Sequence, residues 1–118
     1  MKTCAIETKS GFYVDHIEIA DSYFTRLRGL MFRKTLGKDE GLLLKKCSSI
    51  HCCFMNFPID VVYVNDQMDV LKIETVRPWR VGSIVRGAKH IIELAEGAAM
   101  ALKPGDKIVM KEVDMRNV

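Results

Sequence analysis

The residue types most used in metal and thiol chemistry cluster near the middle of the chain, at Cys47, His51, Cys52 and Cys53. Structural zinc usually takes two separated clusters of paired ligands, each pair spaced by two to four residues. Here every candidate falls in one short stretch and no second cluster follows. On a strand, His51 and Cys53 would share a face while Cys52 takes the other, so one ion could not collect them all. The stretch therefore reads as small core residues beside a polar His, with no metal and no cofactor expected. A nucleophilic pair is the enzymatic alternative, Cys52 or Cys53 activated by His16, His51 or His90, with Cys53 and His51 the pair carried forward. It needs a base within hydrogen-bond reach and an electropositive setting, and no cysteine-enzyme signature surrounds these residues.

Two carboxyls carry a second possibility. Asp60 follows Pro58-Ile59 and opens a run of Val and Tyr, and Glu93 sits among Ile91, Ile92 and Leu94. A strand would place Glu93 on the face opposite Ile92 and Leu94. An acid in so apolar a segment is commonly paired with a cation, because an unpaired buried charge is costly. Arg28 and Arg33 are the candidate partners. The functional alternative is a pair of carboxyls sharing a cleft for acid–base work. Trp79, with Arg77 and Arg80, could form an exposed aromatic–cationic patch, although a Trp closing one end of the core is the reading preferred here. Arg77, Arg80 and Arg86 read as solvated surface. No glycine-rich phosphate loop is present.

The elements that would hold these groups are mostly strands. Residues 12–19 favour strand through Val14, Ile17 and Ile19, and residues 3–8 could pair with them across Lys9-Ser10-Gly11. Asp21 and Ser22 suit a helix N-cap, and Tyr23 or Phe24, Leu27 and Leu30 or Met31 recur at helical spacing, closing at Gly29. Residues 34–39 read as a polar loop, then residues 41–45 and 50–55 as short strands. The clearest hairpin joins residues 61–64 to 70–76 across Asn65-Asp66-Gln67. In its second arm Val70, Lys72, Glu74 and Val76 alternate with Leu71, Ile73 and Thr75. Residues 77–89 are loop and 90–94 a strand. The Ala-rich residues 96–102 suggest one or two helical turns. Lys103-Pro104-Gly105-Asp106 has the residues of a type II turn, leading into a last strand over 107–113.

Strands that meet through hairpins argue against a doubly wound sheet. The expected fold is mostly β: a single-domain antiparallel β-sandwich or barrel, jelly-roll-like, with two short helices. The 118 residues suit one domain spanning 1–118. A composition of 48% hydrophobic and 28% charged residues excludes a disordered or low-complexity chain. The net charge of +3 is mild, and no basic stripe suggests nucleic acid as a partner. Glu7 and Lys9 interrupt any apolar leader, so the chain as written is expected to be cytoplasmic with reduced thiols. No apolar run reaches the ~20 residues of a transmembrane helix.

Several of these segments also occur together in one family. Arg28-Gly29-Leu30-Met31-Phe32-Arg33, Glu40-Gly41-Leu42-Leu43, Phe54-Met55-Asn56 and Pro58-Ile59-Asp60-Val61-Val62-Tyr63-Val64 come first. Val76 with Pro78, Ile92-Glu93-Leu94-Ala95-Glu96-Gly97 and Gly105-Asp106-Lys107-Ile108 follow. In order and spacing, over about residues 12–111, these blocks resemble the domain of unknown function 192 family. The resemblance implies a compact, mostly β domain with a jelly-roll-like or barrel core. It supplies no activity. Many relatives look exported or lipid-anchored; with no such leader in the sequence as written, that expectation does not carry over to this chain. Where relatives tend to have Trp-Met-Lys-Asn, this chain has Phe54-Met55-Asn56-Phe57, so a role resting on that Trp or Lys does not transfer. The family's polar positions correspond to Arg28, Arg33, Asn56, Asp60 and Glu93.

The reading is therefore a small non-enzymatic ligand- or partner-binding accessory domain. Its pocket would lie near Arg28, Met31, Arg33, Asn56, Asp60 and Glu93, and its partner would be a small molecule or a protein. The alternatives are a small hydrolase-like enzyme using Asp60 with Glu93 or Cys53 with His51, and a structural or oligomerising module.

Overall fold

The computed structural model describes residues 2–20, 35–48 and 57–112. Arg28, Met31, Arg33, His51, Cys52, Cys53 and Asn56 lie outside them, as do the helix expected after Asp21 and the strand expected over residues 50–55.

Seven strands are present among the described residues: β1 (Thr3–Glu7), β2 (Tyr13–Ala20), β3 (Glu40–Leu44), β4 (Ile59–Val64), β5 (Val70–Val76), β6 (His90–Ala95) and β7 (Val109–Glu112). They form a single sheet in the order β5-β4-β6-β3-β2-β1-β7. Both expected hairpins are there, β1 with β2 and β4 with β5, each antiparallel. The mostly β expectation holds, while the sandwich and the closed barrel do not: the strands share one open sheet. Nor is the sheet wholly antiparallel. β2 and β3 run parallel, His16 opposite Glu40 through Ala20 opposite Leu44. A parallel neighbour needs a crossover of about a dozen residues or more, and the segment between Ala20 and Glu40 is long enough.

Although open, the sheet rolls. The chain leading into β7 meets the chain leading into β5 at one corner, through an antiparallel bridge between Asp69 and Lys107. The Val70 amide donates to the Asp106 carbonyl (2.8 Å) and the Ile108 amide to that of Met68 (2.9 Å). The roll brings side chains from opposite ends of the strand order into one inner core: Cys4 and Ile6 of β1, Val64 of β4 and Val70 of β5, with Ile17, Leu43, Ile92 and Leu94 between them. The outer face has its own cluster over the central strands, built on Leu42, Leu44, Ile59, Val61, Tyr63 and Ile91 and flanked by Leu36, Cys47, Phe57, Val85 and Ala88. Central strands apolar on both faces explain why β4 is buried at every position.

Turn chemistry explains the local departures. The Asn65 side chain accepts from the Gln67 and Asp69 amides (3.0 and 2.9 Å), building the β4–β5 turn as an Asx turn. A register shift between Tyr63 and Val64 pairs them with Lys72 and Val70, leaving Leu71 as the extra residue. Val70 thus joins the inner core rather than the face of Lys72 and Glu74. The expected turn at Lys103 closes by the Asp106 amide donating to the Lys103 carbonyl (3.0 Å), with Gly105 at φ 96°. The helix expected over 96–102 is absent. The chain there makes successive four-residue turns: the amides of Ala98, Met100 and Leu102 donate to the carbonyls of Ala95, Gly97 and Ala99. Gly97 at φ 87° is incompatible with a right-handed helix.

Candidate functional site

Asp60 and Glu93 are both buried, at 5% and 3% exposure, and they lie on opposite faces of the sheet. The register shows it directly. Asp60 pairs with Leu94 of the inner core, whereas Glu93 pairs with Val61 on one side and Leu42 on the other, both in the outer cluster. β6 alternates as expected, with Ile92 and Leu94 inward and Glu93 outward.

On the inner face every oxygen of Asp60 is engaged. The hydroxyl of Thr75, its partner on β5, donates to Oδ1 (2.8 Å). The amides of Gly97 and Ala99 donate to Oδ2 (3.0 and 3.1 Å). One carboxyl thus gathers two backbone donors of the segment after β6, which accounts for the turns that replace a helix there. This is the geometry of a structural anchor.

Glu93 is placed differently. Among the described residues, nothing hydrogen-bonds or ion-pairs with its carboxyl. Removal from water penalises the charged form, and burial pushes its pKa up to about 8. The strand carrying it is pressed tightly on β3. A Cβ on Gly41 would lie 2.7 Å from the Glu93 carbonyl oxygen, the Ile17 Cδ1 and the Leu94 Cδ2. Gly41 is thus the residue that lets β6 approach, and it lies within one of the blocks that carried the resemblance.

In the same cross-sheet row, Val61 separates Glu93 from Glu74 on β5, roughly 10 Å between Cα atoms at ordinary strand spacing. Glu74 accepts from the Tyr63 hydroxyl (2.6 Å), the Ser83 amide (2.8 Å) and the Ser83 hydroxyl (2.9 Å). Burial raises its pKa, but the hydrogen bonds from Tyr63 and Ser83 outweigh it and hold the group below its ordinary value. Lys72 Nζ donates to Ser83 Oγ (2.9 Å) and completes the cluster. Reading the sequence missed Glu74, Tyr63 and Ser83 as a unit. The signal available was the hairpin, whose register puts Tyr63 and Glu74 on one face. Two neighbouring carboxyls are thereby driven in opposite directions, Glu93 toward its neutral form and Glu74 toward its charged one.

Elsewhere, the His90 Nδ1 accepts from the Lys46 amide (3.0 Å), and burial lowers the pKa of the ring against the opposing pull of Asp66. Cys4 is in the inner core and Cys47 is half-buried beside the outer one. Among the described residues no group of three His, Cys, Asp or Glu side chains could hold a metal ion, and no helix is long and apolar enough to cross a membrane.

A UPF0127 protein of Pyrococcus horikoshii is 36% identical over 107 residues, covering 86% of this chain and 93% of that one. A Novosphingobium aromaticivorans protein of unknown function, solved by crystallography, superposes with a TM-score of 0.76 at 23% identity, over 91% of this chain and 83% of its own. A Sinorhizobium meliloti crystal structure, described as a candidate transcription regulator, gives 0.77 at 22% identity, over 92% of each chain. At that identity the two structures establish the shared fold alone. The sequence profile of the domain of unknown function 192 family, described as Uncharacterized ACR, matches residues 5–110. The chain belongs to this family, whose curated relatives carry the name UPF0127.

Proposed function

We propose that the protein is a non-enzymatic binding domain whose ligand- or partner-facing surface is the outer face of the sheet around Glu93. The observation that carries this reading is a carboxyl buried to 3% exposure on the outer face of the sheet, where burial pushes its pKa up to about 8 and favours the neutral form near pH 7. A neutral carboxyl donates one hydrogen bond and accepts others, which suits a ligand offering a carbonyl, amide or anionic oxygen. Perturbed acids of this kind concentrate at functional sites. Glu74 with Tyr63 and Ser83 would form the second polar group of the same surface. Arg28, Met31, Arg33 and Asn56, grouped with Glu93 on the sequence alone, remain its candidate partners, and Asp60 becomes the anchor that shapes the sheet behind it.

The hydrolase alternative based on Asp60 and Glu93 is disfavoured, because carboxyls on opposite faces of a sheet cannot flank one substrate bond. The test is amide-resolved NMR of the intact protein against a fragment library of amides, carboxylates and sugars at pH 7. Fragments that bind should shift the amides of Val61–Tyr63 and Ile91–Glu93, persist in Glu93→Gln and disappear in Glu93→Leu. Binding that maps to other strands, or that ignores Glu93→Leu, would overturn the proposal.

A further inference from the structure

The chain contains two Pro turns of the same build. In Lys103-Pro104-Gly105-Asp106 the third residue is Gly at φ 96°; in Arg77-Pro78-Trp79-Arg80 it is Trp at φ 65°, with the Arg80 amide donating to the Arg77 carbonyl (3.1 Å). The third position of a type II turn needs positive φ, and Gly or Asn is its ordinary occupant. A bulky aromatic there is a conformational outlier. Nor does the indole fill the core, as the sequence suggested it would: Trp79 is 64% exposed, with Val81 at 66% and Ile84 at 93%.

The rest of the loop is firmly held. Ser83 is bound to Glu74 through its amide and hydroxyl, and Val85 and Ala88 pack against the outer cluster. Around these anchors the loop displays three large apolar side chains together with exposed Arg77, Arg80, Arg86 and Lys89. No acidic residue occurs from Arg77 to Lys89. The one acid facing the loop from β5 that the structure ties to it is Glu74, whose oxygens are taken by Tyr63 and Ser83.

We infer that this loop docks the protein onto an anionic lipid surface, with Trp79, Val81 and Ile84 entering the headgroup boundary and the four cations meeting lipid phosphates. Charge complementarity selects a negative partner. Protrusion selects lipid over protein: side chains as solvated as Ile84 find no complementary hollow on their own surface, and a bilayer interface deforms around such side chains while Arg stems lie along the apolar layer. Trp suits that boundary, because its ring is apolar and its N–H polar. The contact is a peripheral one.

Trp79 is the sole tryptophan of the chain, so its fluorescence reports the event without a label. Titration with vesicles of phosphatidylcholine containing 30% phosphatidylglycerol should shift the emission to the blue. Brominated lipid should quench it, and pure phosphatidylcholine should leave it unchanged. Each of Arg77→Ser, Arg80→Ser and Arg86→Ser should weaken partitioning about fivefold, as expected per basic residue at an anionic surface, and added salt should weaken it further. Ile84→Ser should weaken it too without altering the melting temperature, since the side chain is almost wholly exposed. Three results would overturn the inference. One is an unchanged spectrum at millimolar anionic lipid. Another is a shift with polyglutamate but not with vesicles, which would assign the loop to an acidic protein. The third is a shift on raising protein concentration alone, which would assign it to a second copy of the chain.

Discussion

Asp60 and Glu93 begin as equals, each a lone acid in an apolar strand, each almost wholly buried, on strands that pair with each other. On the rolled, inner side of the sheet Asp60 meets a hydroxyl and two backbone amides. On the outer side Glu93 meets none among the described residues, and burial alone governs it. Burial therefore does not say what an acid is for. The face of the strand that the side chain takes decides which groups it meets.

The contrast breaks most visibly with pH. The folded pKa of Glu93, about 8, lies above its ordinary value of 4.5, so the folded state holds the proton more tightly than the unfolded chain. Its contribution to stability is full below pH 4.5 and is lost progressively as pH rises to 8, on the order of 5 kcal/mol across the window. Glu93→Gln, which cannot ionise, should remove that slope. Urea denaturation of both proteins from pH 4.5 to 9 checks it, and parallel curves would mean that the carboxyl is charged and partnered in the fold.

Asp60 should behave as a scaffold. Asp60→Ala strips the acceptor from two backbone amides and should cost about 3 kcal/mol, with Asp60→Asn losing less because one amide oxygen still accepts. Thermal melts of the two variants separate an anchor from a ligand contact, since a pure ligand contact would leave both melting temperatures in place. Gly41→Ala sharpens the picture of how tightly β3 and β6 meet. Its methyl would press on the Glu93 carbonyl oxygen, backbone that cannot rotate away, and a loss of about 1–3 kcal/mol is expected by denaturant unfolding. The smallest effect belongs to Trp79→Gly. A Trp closing the core would cost several kcal/mol on removal; at an exposed turn the change should stay within about 0.5 kcal/mol, as a melting curve would show.

What was legible beforehand was local. The β4–β5 hairpin followed from Asn65-Asp66-Gln67 between β-branched runs, the turn at Gly105 from its Pro-Gly pair, and the outward placement of Glu93 from simple alternation. What escaped depended on distant chain. The parallel pairing of β2 with β3 is set by a crossover rather than by any residue in either strand. The partners of Asp60 lie 37 and 39 residues away, so the Ala-rich segment after β6 showed its helical propensity and none of the carboxyl that reshapes it. Leu71 broke the alternation of β5 because a register shift is invisible to a period-two pattern. Trp79 misled for the opposite reason: hydrophobicity suggests burial, and only the turn geometry shows the side chain outside.

The pairing of β1 with β7 sets the order in which this molecule can assemble. Cys4 lies opposite Glu112, so β1 finds that neighbour only after every other strand of the sheet has been made. β1 and β2 can zip early as a hairpin, as can β4 and β5, whereas the roll that encloses the inner core closes last. Folding dominated by such distant pairings is slow, with a long interval in which the β1 edge stands open. A nascent chain of this protein is thus open to edge-to-edge association along β1 until β7 has been made and paired.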